Sequence, residues 1–334
     1  MQTKIKSERF IWIDIMITLL TLELMEYFYY GIRSVVLGCV CVGASLAAEL
    51  ISLRLMKRKF TADDLTCVSD ALIIALMLPA VFDYKIAAIA CVFAVVAAKN
   101  VFGGRLNMIF SPAAAAYVFI YTSWKSLLLM YPEPHTHTGI FEKAGSLVSS
   151  ASHSFNINGK LSISDFELLM GNFCGPPGAV SVLLLSVAAI VLLFRRSISA
   201  GAFLGTISAT ALLAYIVPAG VTKAGSVKYS IVMNMVLFAA IYIIADRRIA
   251  PKRGYFAFFY GFFLAAFAYI YTLTSAKENS IVLISLVFTP AALGFKNLEK
   301  HIENIRAEEA ASELLQAQEN ADDTVTEEAA ADEE

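Results

Sequence analysis

The chain is divided into long apolar blocks, and the length of these blocks is the tightest constraint on its fold. A bilayer core takes roughly 20 apolar residues per helix, whereas a soluble core is built from shorter runs. Ten segments reach towards that length, near residues 10–30, 34–53, 65–82, 86–98, 112–130, 179–194, 199–217, 229–245, 255–273 and 280–295. Hydrocarbon offers no partner to a backbone N–H or C=O, so each segment is expected to be a helix. Two of them, 65–82 and 86–98, are short or polar at one end, as befits helices that stop part-way or pack against other protein. Composition agrees: 58% of the residues are hydrophobic and 16% charged, against about 25% charged in soluble domains. The expected class is an all-α integral membrane protein with about ten transmembrane helices. Residues 1–9 are polar and no small-residue cleavage site follows the first apolar run, so that run reads as a retained span.

The net charge of −2 conceals an asymmetry. Residues 301–334 hold twelve acidic residues and one basic residue, which leaves the body at +9 and the tail at −11. Lys and Arg collect on the cytoplasmic side of membrane proteins. With the N-terminus inside, the ten spans place seventeen basic residues of the body inside and eight outside. Both termini are then expected to be cytoplasmic, and residues 131–178 become the one long extracytoplasmic loop. Loops of this length are commonly functional or disordered. The tail from 298 reads as a short amphipathic stretch followed by an acidic, solvated, largely disordered extension.

An internal repeat supports this layout. Ile109-Phe110-Ser111-Pro112-Ala113-Ala114-Ala115 recurs as Val287-Phe288-Thr289-Pro290-Ala291-Ala292-Leu293, 178 residues later. A duplicated five-span unit accounts for this, with residues 1–130 as the first copy and 179–297 as the second. Because five is odd, the copies are expected to be inverted about an axis in the membrane plane.

Several stretches carry a family likeness. Asp63-Asp64-Leu65-Thr66-Cys67-Val68-Ser69-Asp70 leads into a Leu-rich helix ending at Leu78-Pro79; Lys99-Asn100-Val101-Phe102-Gly103-Gly104 precedes Phe110-Ser111-Pro112-Ala113; Gly171-Asn172-Phe173-Cys174-Gly175-Pro176-Pro177-Gly178 closes the long loop. In order and spacing these segments, with Ala245-Asp246, resemble the RnfD/NqrB family. Its members are the D membrane subunit of the Rnf ion-translocating ferredoxin:NAD oxidoreductase and its relative, the B subunit of the sodium-pumping NADH:quinone reductase. The resemblance covers about residues 10–297. It implies two inverted five-helix repeats, electron transfer coupled to Na⁺ or H⁺ movement, and partner subunits of an Rnf-like complex in the plasma membrane. It also implies FMN joined by a phosphodiester to a threonine of a Ser-Gly-Ala-Thr-like motif in the long loop. That motif is missing here. The nearest text is Ser149-Ser150-Ala151-Ser152-His153-Ser154-Phe155, in which Ser152 and Ser154 are the substitute hydroxyls. The sequence is therefore divergent at the flavin site, and an inverted-repeat small-solute transporter or channel, or a flavin-free scaffold subunit, stands as the alternative.

Carboxylates inside spans cost roughly 2.5–3.5 kcal/mol each on insertion scales and mark ion paths or partners. Glu23, Glu26, Glu49 and Asp70 qualify as an ion pathway; Glu23 and Glu26 share one helix face. Their bland reading is an interfacial position, or pairing with Arg33 or another subunit. The five cysteines, Cys39, Cys41, Cys67, Cys91 and Cys174, form no ligand motif and read as packing residues. His135-Thr136-His137 lacks further ligands, so no metal site is expected. No Walker or dinucleotide fingerprint occurs, and no nucleic-acid partner is indicated. NADH or ferredoxin oxidation would belong to another subunit.

Overall fold

The computed structural model describes residues 8–306, apart from 103, 105–107, 143–144, 162 and 221, together with 308 and 312. The acidic extension beyond residue 312 lies outside the described residues. Each of the ten apolar segments is helical over most of its length. The first half comprises α1 (Glu8–Tyr30), α2 (Ile32–Leu55), α3 (Thr66–Met77), α4 (Tyr84–Phe93, continued by a π-helix over Ala94–Asn100) and α5 (Pro112–Ser123). The long loop adds α6 (Ala151–Asn158) and α7 (Asp165–Met170). The second half contains α8 (Val182–Phe194), α9 (Ala200–Ile216), α10 (Lys223–Val232), α11 (Val236–Ala239, continued as a π-helix to Ile244), α12 (Gly254–Ser275), α13 (Ser280–Phe288) and α14 (Ala291–Arg306).

The bundle is layered by exposure. On α1, Ile17, Leu20, Leu24 and Phe28 form an exposed stripe at helical spacing, while Leu19, Leu22, Glu23 and Glu26 are buried behind it. On α12, Phe259, Phe263, Phe267 and Ile270 face outwards and Ala257, Gly261, Leu264 and Ala268 face inwards. Apolar surface of this extent is what lipid covers. By contrast, α3 from Ser69 to Met77 and the stretch from Met233 to Asp246 are buried without interruption. A helix that is apolar all round belongs inside protein. These two half-length helices meet at Gly178, where an added Cβ would lie 2.6 Å from the Leu76 Cβ and 2.9 Å from the Phe238 ring.

Continuity is where structure and hydropathy differ. Among the described residues, α2 (24 residues) and α12 (22 residues) are long and apolar enough to cross a membrane unbroken. Two bent pairs, α10 with α11 at 54° and α13 with α14 at 47°, raise the number of candidate spans to four at most. The helix α1 is equally long, at 23 residues, but carries Asp14, Glu23 and Glu26. A hydropathy window averages over the breaks, so it registers apolar length and misses the turns that interrupt it.

The repeated Ser/Thr-Pro motif does two different things. Ser111 is the N-cap of α5, its hydroxyl accepting from Ala114 N at 3.4 Å with Pro112 in the first turn. Thr289-Pro290 instead falls at the bend between α13 and α14, where proline cannot donate to the ladder and Thr289 Oγ1 donates to the Leu286 carbonyl at 3.1 Å.

The loop over 131–178 is a folded cap. Strand β1 (Met130–Pro132) pairs antiparallel with β2 (Leu147–Ser149). Phe155, Leu168, Phe173, Val180 and Met233 form a small core of their own beneath it. Ser150 caps α6, and a capping box of Ser164 with Glu167 starts α7.

The α9–α12 contact is the closest helix pairing. A Cβ at Gly205 would sit 2.1 Å from the Phe258 carbonyl oxygen, and one at Gly261 would sit 2.2 Å from that of Ala202. Small residues four apart let two backbones approach in lipid, where packing replaces the hydrophobic drive. Gly205→Leu and Gly261→Val should each lower thermal stability of the detergent-purified protein by about 1–3 kcal/mol or more. Gly43→Ala, with nothing within 4 Å of its added Cβ, should leave the melting temperature within about a degree of the parent or raise it, since propensity alone contributes about 1 kcal/mol in its favour.

Candidate functional site

Among the polar groups that interrupt the apolar body, two hydrogen-bonded centres and one carboxylate pair contain Glu23, Glu26, Glu49, Asp70 and Ser152. The first lies at the bundle end away from the folded cap, where α2 finishes and α3 begins. Lys99 Nζ lies 2.9 Å from Glu49 Oε1, and Asn100 Nδ2 donates to Glu49 Oε2 at 3.0 Å. Both charged side chains are about 1% exposed. The wider turn of the π-helix over Ala94–Asn100 lets two successive side chains reach the two oxygens of one carboxylate. Nearby, Arg248 is held between Asp70 (2.6 and 3.1 Å) and Asp246 (2.7 and 2.8 Å). Cys67, one turn before Asp70 on α3, packs with Ala48 and Val95 in one buried cluster, which makes the two groups neighbours. Glu49 and Asp70 are thus brought together, Glu49 paired with Lys99 of the π-helix and Asp70 sharing Arg248, from the turn after α11, with Asp246.

Glu23 and Glu26 lie elsewhere, on the buried face of α1 towards its cap-side end. Glu23 packs on Gly38 of α2, whose added Cβ would meet Glu23 Oε1 at 2.4 Å. Neither Glu23 oxygen has a hydrogen-bond partner among the described residues, nor has Glu26 Oε1. Arg33, the partner considered from sequence, turns away from them. It donates to the Val81 carbonyl at 3.0 Å and to that of Glu142, and stands over the Tyr84 ring. A carboxylate pair without a countercharge in an apolar body must carry a proton or a cation, because the cost of a bare buried charge is far larger.

The second centre is under the cap. Ser150 donates to Glu278 Oε2, and His153 Nδ1 lies 3.3 Å from Glu278 Oε1. Asn156 and Asn234 exchange two hydrogen bonds of 2.9 Å, Asn279 N donates to Asn234 Oδ1 at 3.3 Å, and Asn279 Nδ2 donates to the Tyr117 hydroxyl at 2.7 Å. Asn234, Met235 and Asn279 adopt the left-handed conformation that the break after α10 and the turn before α13 require. Ser152 belongs to this network. It is buried, its hydroxyl accepting from Asn234 N at 2.8 Å and contacting Met233 Sδ at 3.8 Å. Ser154 is half-buried on the same helix, and its hydroxyl makes no hydrogen bond among the described residues. A phosphodiester needs an oxygen that can leave the protein interior, and of the two only Ser154 has that access.

Three residues of these centres escape a reading by motif. In the sequence Arg248 is one of a row of basic residues, Lys99 stands in a family segment that gives no sign of a carboxylate partner, and Glu278 is a turn acid. The usable signal for Arg248 is the Asp246-Arg247-Arg248 charge group that closes a wholly apolar run. Among the described residues no group of three or more His, Cys, Asp or Glu could hold a metal ion.

The model of the NQR2, RnfD, RnfE family matches residues 2–291. Individual relatives are more distant. The chain is 32% identical over 114 residues, 34% of its length, to the D subunit of the ion-translocating oxidoreductase complex of Shewanella amazonensis, covering 33% of that protein. It is 30% identical over 111 residues, 33% of its length, to the D subunit of the Na⁺-translocating ferredoxin:NAD⁺ oxidoreductase complex of Acetobacterium woodii, covering 35% of it. Over 111 residues it is 28% identical to the D subunit of the ion-translocating oxidoreductase complex of Shewanella piezotolerans, again 33% of this chain and 32% of the relative. The matched stretch thus spans about a third of each of these relatives.

Breaking one side of the buried Glu49–Lys99 pair leaves an uncompensated charge, which typically costs about 3–5 kcal/mol. Lys99→Met should therefore destabilise the purified protein by about that amount, and adding Glu49→Gln should recover most of it, as read by thermal unfolding. Burial pushes the Glu278 carboxyl up, outweighing the opposing hydrogen bond from Ser150 and the nearby His153 and Lys125. The folded protein therefore holds this proton more tightly than the unfolded chain. Its stabilising contribution is complete below the ordinary carboxylate range and is lost as pH rises through the folded-state value. Glu278→Gln should flatten that decline in melting temperature with rising pH.

Proposed function

The chain belongs to the NQR2, RnfD, RnfE family, which includes membrane subunits of ion-translocating oxidoreductase complexes, and we propose that it is one such subunit in an Rnf-type complex. In this reading electrons from a donor oxidised on another subunit pass through a flavin under the cap while Na⁺ or H⁺ crosses the membrane body. The ten helical segments form two inverted five-helix repeats, with both termini cytoplasmic and the cap over 131–178 on the outer side. The observation that carries the proposal is the set of ionisable groups kept inside an otherwise apolar body. Such groups are expensive in a membrane and are retained where charge moves. Glu23 and Glu26 supply the unpaired way-station, and Glu49 and Asp70, held by Lys99 and Arg248, supply paired positions nearer the other face.

FMN fits this chain at one hydroxyl. Ser154 would hold the phosphodiester, whereas Ser152 would first have to give up its bond to Asn234 N. A flavin bound there would accept and release electrons one or two at a time. The half-helices α3 and α11, buried and meeting at Gly178, also suit a transporter built on the same scaffold, and the flavin separates the two readings.

Isolation of the tagged full-length chain from its native membranes should yield a complex with other subunits. On a denaturing gel the chain should fluoresce, with an FMN adduct on a peptide containing Ser154 that Ser154→Ala removes. A chain recovered alone, without flavin, from cells that flavinylate other proteins would overturn the redox reading. In the intact complex, Glu23→Gln with Glu26→Gln should cut ion movement per electron at least tenfold while electron transfer continues. Unchanged coupling would remove the way-station.

A further inference from the structure

One turn of the cap is apolar where turns are ordinarily polar. The stretch Gly139-Ile140-Phe141-Glu142 closes on itself: Glu142 N donates to the Gly139 carbonyl at 3.2 Å, and Gly139 N donates to Glu142 Oε2 at 2.8 Å. An added Cβ at Gly139 would lie 2.9 Å from Glu142 Cδ, so the carboxylate fills the space a side chain would take. The central positions of such a turn usually carry Gly, Pro, Asn, Asp or Ser, which are at ease in water. Here they carry Ile140, 37% exposed, and Phe141, 92% exposed. The tip is fixed as well as apolar. Tyr84 Oη donates to the Ile140 carbonyl at 2.8 Å. Arg33, whose guanidinium stands 5.4 Å from the centre of the Tyr84 ring, donates to the carbonyls of Glu142 and Val81. The chain leading to the turn is laid across the end of the bundle, with the His135 ring 4.9 Å from that of Tyr29 and His137 packed on Gly31.

These anchors set the height of the turn on the bundle. Tyr84 is the first residue of α4, and Lys85, Ile89, Val92, Phe93 and Val96 are exposed at helical spacing along the helix it starts. An apolar stripe of this kind is covered by lipid. A rise of about 1.5 Å per residue puts Ile89 roughly 7.5 Å from Tyr84 along the axis. A tyrosine and a lysine at the end of such a stripe mark the membrane–water boundary, the ring at headgroup level and the ammonium reaching for water. We propose that the Gly139–Glu142 turn is a membrane anchor, in which Phe141, with Ile140 beside it, enters the headgroup–acyl boundary of the leaflet on the cap side. The occupant of this surface is phospholipid, because the turn is hydrogen-bonded to the residue at which the lipid-facing stripe of α4 begins. A phenylalanine there exchanges water for acyl chains, and a turn already closed gives up little backbone freedom in doing so. Strand β2 and then Ser150, which donates to Glu278, follow the turn in the chain, so lipid holds the cap close to its polar network.

The test uses the full-length chain in phosphatidylcholine nanodiscs, where both faces of the bilayer are open to solvent. Phe141→Trp adds one indole to the native Trp12 and Trp124, and its emission is read as the difference from the parent. That difference emission should be blue-shifted, and phospholipid brominated on its acyl chains should quench it about twofold or more while aqueous iodide does not. Emission of indole in water, quenched by iodide and indifferent to brominated lipid, would overturn the anchor. Emission shielded from both quenchers would overturn it too, since protein would then cover the tip. A second measurement reads the loop itself. Phe141→Asp leaves the hydrogen bonds of the turn in place and should raise amide hydrogen exchange over residues 130–142 roughly threefold or more, whereas Phe141→Leu, which keeps the tip apolar, should not. Parental exchange in Phe141→Asp would remove lipid as what holds the cap. Neither electron donor, flavin nor partner subunit enters either measurement, so the anchor and the redox reading stand or fall separately.

Discussion

A polar group in hydrocarbon has no water to fall back on, and the cost of leaving it unmet exceeds what any single packing contact returns. That constraint organises the whole molecule. It makes the apolar segments helical, and it puts the irregular backbone at Met233–Met235 and Leu78–Pro79 inside protein, where neighbours can answer it. It also decides the fate of each buried charge. Glu49 takes Lys99 and Asn100, Asp70 and Asp246 share Arg248, and Asp14 takes Arg195 and Ser197. Glu23 and Glu26 alone of the expected pathway residues are left to carry their own compensation.

This division gives the two ends of the bundle different chemistry. Away from the cap, charges are matched by arginine and lysine, whose hydrogen bonds fix geometry as well as charge. Under the cap, the polar groups are hydroxyls, amides and one carboxyl with a titratable neighbour in His153. Matched ion pairs hold elements in place, whereas networks of neutral donors and acceptors can rearrange without moving net charge.

The mostly helical, membrane-protein character was legible in the sequence because bilayer thickness and apolar run length are the same quantity, but of the ten expected spans the described helices supply two that are long and apolar enough to cross a membrane unbroken, or four with the bent pairs. The ten segments near 10–30 through 280–295 all contain helix, and the family likeness quoted on Lys99-Asn100, Ser111-Pro112 and Gly171 through Gly178 lies within the matched residues 2–291. Helix breaks were less legible. Thr289-Pro290 and Ser111-Pro112 are near-identical as text, yet one bends a helix and the other starts one, because Ser111 itself is extended and the residues before Thr289 are already helical. Buried carboxylates were readable where a charge stood in an apolar run, as at Glu23, Glu26 and Glu49. The candidate site was unreadable where tertiary folding supplied the partner. Arg248 reaches Asp70 across 178 residues, and Ser150 reaches Glu278 across 128. No local pattern holds those distances, and the same applies to the engagement of Ser152 by Asn234.

Gly178 links the mechanics of these parts. It ends the segment that forms the cap, and it is pinched between Leu76 of one half-helix and Phe238 of the other. With no side chain to deform, the backbone at Gly178 leaves no slack between the two half-helices. Sliding α3 against α11 would press directly on the root of the cap, and lifting the cap would pry the half-helices apart. The root of the cap and the packing of the two half-helices are therefore set by the same close contact.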